Sequence, residues 1–174
     1  MNVTDQRGLF HKLLVGDLRP NEIVGAAEAV DDVDYLRRWF VIPHARAREK
    51  TWWFFKKGNI FLHHFNRSDD DRALHDHPWR NISVLLWGSY IEHTPGGVKK
   101  LRRAGHVVFR KDTQAHRIEL LRDNNGKALP VWTLFITGPK TRDWGFHCPK
   151  GWKPWWLFVN PNNAGEVGPG CGDN

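Results

Sequence analysis

From residue 36 onward the chain is cut into short apolar runs by glycine, asparagine and proline, and no long helical pattern intervenes. "YLRRWFVIP" predicts a strand closed by Pro43. "TWWFFKKGNIFLHHF" predicts a hairpin with Lys57, Gly58 and Asn59 at its tip. "NISVLLWGSYIEHT" reads as one strand ended by the Gly96-Gly97 turn. "VKKLRR", "HVVFRK", "AHRIELLR" and "VWTLFITG" follow at short intervals, the last pair separated by Asn124-Asn125-Gly126. Strands at this spacing, joined by glycine and asparagine turns, specify a mainly all-β fold: an antiparallel jelly-roll barrel.

A chain of 174 residues fits one domain with a full core. Residues 1–35 differ in texture. "NEIVGAAEAVDDVDYL" is rich in Ala and acidic residues, and Asn21 after Pro20 fits an N-cap, so a partly helical extension is expected there. The barrel then spans 36–160. "RDWGFHCPKGWKPWWLF" should form a final strand or a cap tied down by its tryptophans, and the tail over 161–174, "NNAGEVGPGCGDN", should be mobile. Ten Trp and ten Phe predict an aromatic interior, because most of the Trp fall inside strand patterns.

Lys and Arg number 26 against 19 Asp and Glu, a formal charge of +7. That balance favours anionic partners, nucleic acid among them. The basic residues are scattered, however, which describes a solvated surface better than a binding stripe. Any charge-driven nucleic-acid binding should be weak and lost at moderate salt. Cys148 and Cys171 allow at most one bridge, to the tail. The first residues lack the apolar core of a signal peptide, and no run approaches membrane-spanning length. A soluble cytoplasmic protein is expected.

The chemistry concentrates in "LHDHPW". Residues i and i+2 of a strand share a face, so His75 and His77 project side by side, about 7 Å apart along the chain, and both imidazoles can converge on one ion. Pro78 biases His77 toward an extended conformation. Trp79 and Asn81 share their parity and should line the same cavity. A third ligand must come from elsewhere, and His116, which opens its own strand, is the best candidate.

These residues resemble the cupin motifs, G-x5-H-x-H-x3-4-E-x6-G and G-x5-P-x-G-x2-H-x3-N. His75 and His77 match H-x-H, Gly88 matches the closing glycine, and Gly105 has the motif's offset from His116. Asn81 stands at the glutamate position. Lys111, Thr113 and Leu120 replace the proline, second glycine and asparagine. The chain is also similar to short cupin-like proteins of phage and bacterial genomes with "LHDHPW"-type and "WGFHCPKGW"-type motifs. The resemblance implies a jelly roll, and a three-histidine metal site without the anionic ligand. Three-His cupins include thiol dioxygenases, so it also implies a non-haem iron(II) dioxygenase-like enzyme acting on a small polar or anionic substrate. Zinc or nickel would suit the same donors. The alternatives are a cupin isomerase or epimerase of a sugar or sugar nucleotide, and a cupin that binds a ligand or nucleic acid without chemistry. A monomer or homodimer is expected, because cupins often pair through barrel faces and "TWWFF" offers surplus aromatic surface.

Other residues complete the expected pocket. One of His63 and His64 must face inward, and His64 joins Trp79, Asn81 and His147 as a candidate wall residue. Adjacent strand residues point apart, which argues against a nucleophilic pair of His147 and Cys148. Asp69-Asp70-Asp71 reads as a solvated turn. Glu92 should face away from Asn81 unless a bulge intervenes. Arg80, Arg110 and Arg117 could hold an anion, with Arg117 opposite in parity to His116.

Overall fold

A computed structural model describes residues 8–14, 16–25, 34–42, 58–69, 73–159 and 168–172. Among these residues, helix α1 (Leu9–Leu14) leads into twelve strands: β1 (Glu22–Val24), β2 (Leu36–Phe40), β3 (Asn59–Phe65), β4 (Leu74–His75), β5 (Asn81–Trp87), β6 (Ser89–Thr94), β7 (Val98–Arg103), β8 (Val107–Arg110), β9 (Arg117–Leu120), β10 (Val131–Thr137), β11 (Gly145–Cys148) and β12 (Gly151–Pro154), closed by the single-turn α2 (Trp155–Phe158). Six strands form one sheet in the order β1-β2-β3-β10-β5-β8, and two three-stranded sheets run β12-β11-β4 and β7-β6-β9. An isolated antiparallel bridge between His75 and His116 joins β4 to the start of β9, so the two small sheets meet at a seam and make a second layer. The arrangement is an antiparallel jelly roll, as the strand spacing predicts.

The layers are held by alternation. On β10, Val131, Thr133, Phe135 and Thr137 are buried and the residues between them are half-exposed, the period-2 pattern of a strand with one face on a core. One cluster joins Leu36, Phe65, Leu85 and Val131 of the large sheet to Tyr90, Ile118 and Leu120 of the facing layer. Each such fully buried side chain contributes about 1.5–3 kcal/mol. A second cluster, Phe40, Phe61 and Phe135 with Trp79 against it, lies beside the histidines. No described tryptophan is among the fully buried core residues, and Trp87, Trp152 and Trp156 are exposed. Among the described residues the aromatic part of the interior is therefore mostly phenylalanine, with the indoles packed at its margins.

Four other expectations change. "NISVLLWGSYIEHT" is two strands in different sheets, because Gly88 adopts φ +86° and breaks the run. A Cβ there would sit 2.9 Å from the Pro130 carbonyl oxygen, so the corner needs glycine. Glu22–Val24 is a strand rather than helix, since pairing with β2 overrides its local composition. Asn21 is no N-cap: it is buried, and its Oδ1 accepts the Phe40 backbone N–H at 2.9 Å. The rest of the expected helical stretch, 26–33, and the first strand of the "TWWFF" hairpin lie outside the described residues. Finally, residues 168–172 are anchored: Cys171 is disulfide-bonded to Cys148, and the Gly170 carbonyl accepts from Lys153 Nζ at 2.7 Å. Among the described residues no helix is long and apolar enough to cross a membrane.

Candidate metal centre

His75 ends β4, pinned on one side by β11 through the Phe146 pair and on the other by the bridge to His116. In that bridge each residue's backbone N–H donates to the other's carbonyl at 2.9 Å. Directly opposed residues of an antiparallel pair point to the same face. The backbone therefore places the His75 and His116 rings side by side, with centroids 4.9 Å apart. His77, two residues on, returns to that face, with ring centroids 5.1 Å from each of the others.

One donor atom from each of the three rings lies within 4.8 Å of the other two. The closest pair is His77 Nε2 and His116 Nε2, at 2.8 Å. Burial pushes the His77 and His116 imidazoles well below the ordinary histidine value, aided by the positive charge of Arg110. His75 is also lowered by burial, against the pull of Asp69. All three rings are thus neutral near pH 7, the form that offers a lone pair to a metal. Three imidazoles with no carboxylate among them suit iron, zinc, copper or nickel rather than magnesium or calcium.

Two carboxylates stand behind the rings. Asp69 Oδ2 is 3.8 Å from His75 Nδ1, and Glu92 Oε1 is 3.5 Å from His116 Nδ1. Both correct the reading of the sequence. Asp69 is buried rather than solvated; it accepts the Tyr35 hydroxyl and, at 2.6 Å, the Ile118 backbone N–H. Asp70 and Asp71 lie outside the described residues. Glu92 faces the interior, because the corner at Gly88 resets the strand parity: odd residues point inward on β5 and even ones on β6. It is clamped by Arg110 Nε at 2.9 Å and Arg102 Nε at 2.8 Å. Burial alone would raise its carboxyl, but the two guanidiniums outweigh burial and hold it below the ordinary glutamate value.

The aspartate between the histidines has a different task. Asp76 is fully buried and points away from the ring face. It accepts the Gly145 backbone N–H at 2.8 Å, Arg142 Nη1 at 2.6 Å and Trp152 Nε1 at 3.0 Å, and it lies 3.1 Å from His147 Nε2. One carboxylate thus ties "LHDHPW" to "WGFHCPKGW". Sequence reasoning missed Asp76, although its place between two candidate ligands was a signal.

The remaining candidates divide. Trp79 packs on the Phe40, Phe61 and Phe135 cluster, and His77 contacts Phe135 on the same side. Asn81 is buried, and neither atom of its amide has a partner; the same holds for Trp79 Nε1. His64 is a correction: it points out of the barrel and stacks on Trp132, with centroids 4.3 Å apart. Its neighbour His63 is the inward one, stacked on Phe61 and Phe135, with Nε2 accepting from Arg38 Nε at 2.9 Å. His147 is a second correction. It opposes Leu74 rather than His75 in the pairing, and it lines an outer groove of about 500 Å³ with His93 and Arg117. Arg110 is committed to Glu92, and Arg117 faces out against His93 at 3.1 Å.

No protein-family model matches the chain, and no curated protein matches it in sequence. Solved structures are similar to the chain at low identity and low TM-score. An uncharacterized conserved protein with a double-stranded β-helix domain from Klebsiella pneumoniae is similar at 18% identity and TM-score 0.40, over 52% of this chain and 74% of that one. The polyketide cyclase RemF from Streptomyces resistomycificus is similar at 15% identity and TM-score 0.47, over 67% and 69%. A cupin superfamily protein from Desulfitobacterium hafniense is similar at 15% identity and TM-score 0.42, over 65% and 84%. At these values the likeness concerns fold alone.

Proposed function

We propose that this chain is a metal-dependent cupin enzyme in which His75, His77 and His116 hold one divalent transition ion, iron(II) first and zinc or nickel next, and that it is a dioxygenase acting on a small polar or anionic substrate. The observation that carries the reading is the convergence of three neutral imidazoles, His116 buried and His75 and His77 half-buried, whose donor atoms lie within 4.8 Å of one another. Bound there, the ion would supply Lewis acidity and open positions where substrate and dioxygen meet.

The chain's own groups do the rest. Phe61, Phe135 and Trp79 wall the interior beside His77 and keep it poor in water. Trp79 Nε1 offers a donor, and the Asn81 amide a donor and an acceptor, all buried without partners. A polar substrate that pairs with them would remove the desolvation cost of about 1–3 kcal/mol that each otherwise carries. The sugar isomerase alternative needs a free base. Among the described residues the inward histidine outside the triad is His63, whose Nε2 lone pair is taken by Arg38, so we favour the oxygenase.

The proposal extends to a cytoplasmic monomer or homodimer with a small-molecule partner. The Cys148–Cys171 bridge sets a condition on the compartment, because reducing cytosol keeps such pairs as thiols. Single substitutions of His75, His77 and His116 by Ala, with metal content measured on untagged protein, test the centre. Each variant should lose the ion. If all three keep wild-type content, the reading is wrong.

A further inference from the structure

Resting on the proposed metal centre, we infer that Glu92 is a positioning residue for His116. Its carboxylate accepts the Nδ1 proton of that ring and so leaves Nε2 bare toward the ion. His77 Nε2 and His116 Nε2 are 2.8 Å apart. At that distance, without an ion between them, one nitrogen donates its proton to the other. An ion shared by both requires both to be bare, and a neutral imidazole keeps its one proton on the remaining nitrogen. For His116 that nitrogen is Nδ1, which is buried and has no hydrogen-bond partner. The nearby buried acceptor is Glu92 Oε1, 3.5 Å away.

Glu92 is suited to the task. Arg110 Nε and Arg102 Nε hold the carboxylate from two other strands, so it is fixed before any ion arrives. Oε1 already accepts Arg110 Nε at 2.9 Å and Nη2 at 2.5 Å, and a small rotation of the His116 ring would bring Nδ1–H into line as a third donor to that oxygen. The two arginines also offset its charge. The residue therefore orients the ring without adding a fourth, anionic ligand. The motif's glutamate position is filled by Asn81, and the carboxylate reaches the site from the next strand, behind a ligand instead of beside it. Asp69 stands in a similar relation to His75, but at 3.8 Å. Outer partners of this kind are worth about 10–100-fold in metal affinity.

Zinc is the probe, because it is diamagnetic. The full chain, labelled with 15N in histidine, would be loaded with zinc and read by long-range 1H–15N correlation. We expect His116 to carry its proton on Nδ1, with that proton resonating far downfield. In Glu92→Gln the resonance should move upfield and zinc affinity should fall about 10–100-fold. Unchanged affinity together with an unchanged resonance would overturn the role of Glu92. So would a proton on Nε2 in the zinc-loaded wild type, and that readout decides the matter even where Glu92→Gln does not fold. His116→Ala separates the two levels: if it retains zinc like the wild type, the metal centre itself fails, whatever Glu92 does.

Discussion

The barrel carries two sets of histidines that differ in what they touch. His75, His77 and His116 face one another across a buried space, with burial holding their protonation down and carboxylates 3.5–3.8 Å behind two of them. His64, His93 and His147 sit on the outer surface, and each has a partner that satisfies it: the Trp132 ring, the Glu119 carboxylate at 2.5 Å, and Asp76. Each outer ring meets a different neighbour, an indole or an acid, so the three do not converge on one point. The inner rings are closest to one another. Neighbours, more than residue type, separate a candidate ligand from an ordinary surface histidine.

The contrast can be broken at Asp76, which belongs to both sets: its backbone lies between the inner rings and its carboxylate serves the outer network. Asp76→Ala leaves donors from three residues around the β11–β12 hairpin, the buried Gly145 N–H among them, without their acceptor and should cost about 3–5 kcal/mol in urea unfolding, with metal lost as a consequence. Reducing the Cys148–Cys171 bridge, which closes a separation of 23 residues beside that hairpin, should cost about 3 kcal/mol and leave the inner rings their affinity. Equal metal loss on reduction would show that the hairpin, not the ring geometry, governs binding.

A titration sharpens the same contrast. In metal-free protein the inner rings and His63 have folded-state values below their unfolded value of about 6.5. Above that pH both states are neutral and the rings contribute nothing. Below it the unfolded chain takes up protons that the folded chain refuses, so stability falls as the pH drops. The slope is about 1.4 kcal/mol per pH unit for each ring. His63→Gln should remove one such share from unfolding curves measured between pH 7 and 5; an unaltered slope would mean His63 does not titrate with the fold. The smallest effects belong outside. His64→Ala should cost about 1 kcal/mol of stacking and leave metal content unchanged.

How much of this was legible in the sequence depended on whether strand parity survived. Counting in twos puts His75 and His77 on one face, because nothing interrupts 75–79, and Trp79, two residues on, packs beside Phe40, Phe61 and Phe135. Counting fails at Gly88, where the chain turns a corner and Glu92 comes to face inward. It also fails at Asp69, where a run of three aspartates looks solvated although a tyrosine and a backbone amide claim its first member. Adjacent histidines at 63 and 64 are undecidable until register with β2 and β10 places one beside Phe135 and the other on Trp132. At Glu22–Val24 local composition pointed to helix, and only the pairing with β2 could say otherwise.

The bridge between His75 and His116 has a mechanical side. It is where two three-stranded sheets become one layer, and it joins segments about forty residues apart in the chain. A ligand gripped by rings on both sides of that join binds the closed layer more tightly than an opened one, and by linkage holds it shut. At a free-ion concentration a hundred times Kd, this adds about 2.7 kcal/mol against opening. Hydrogen exchange at the His75 and His116 amides would then slow on loading, making the join itself a gauge of occupancy.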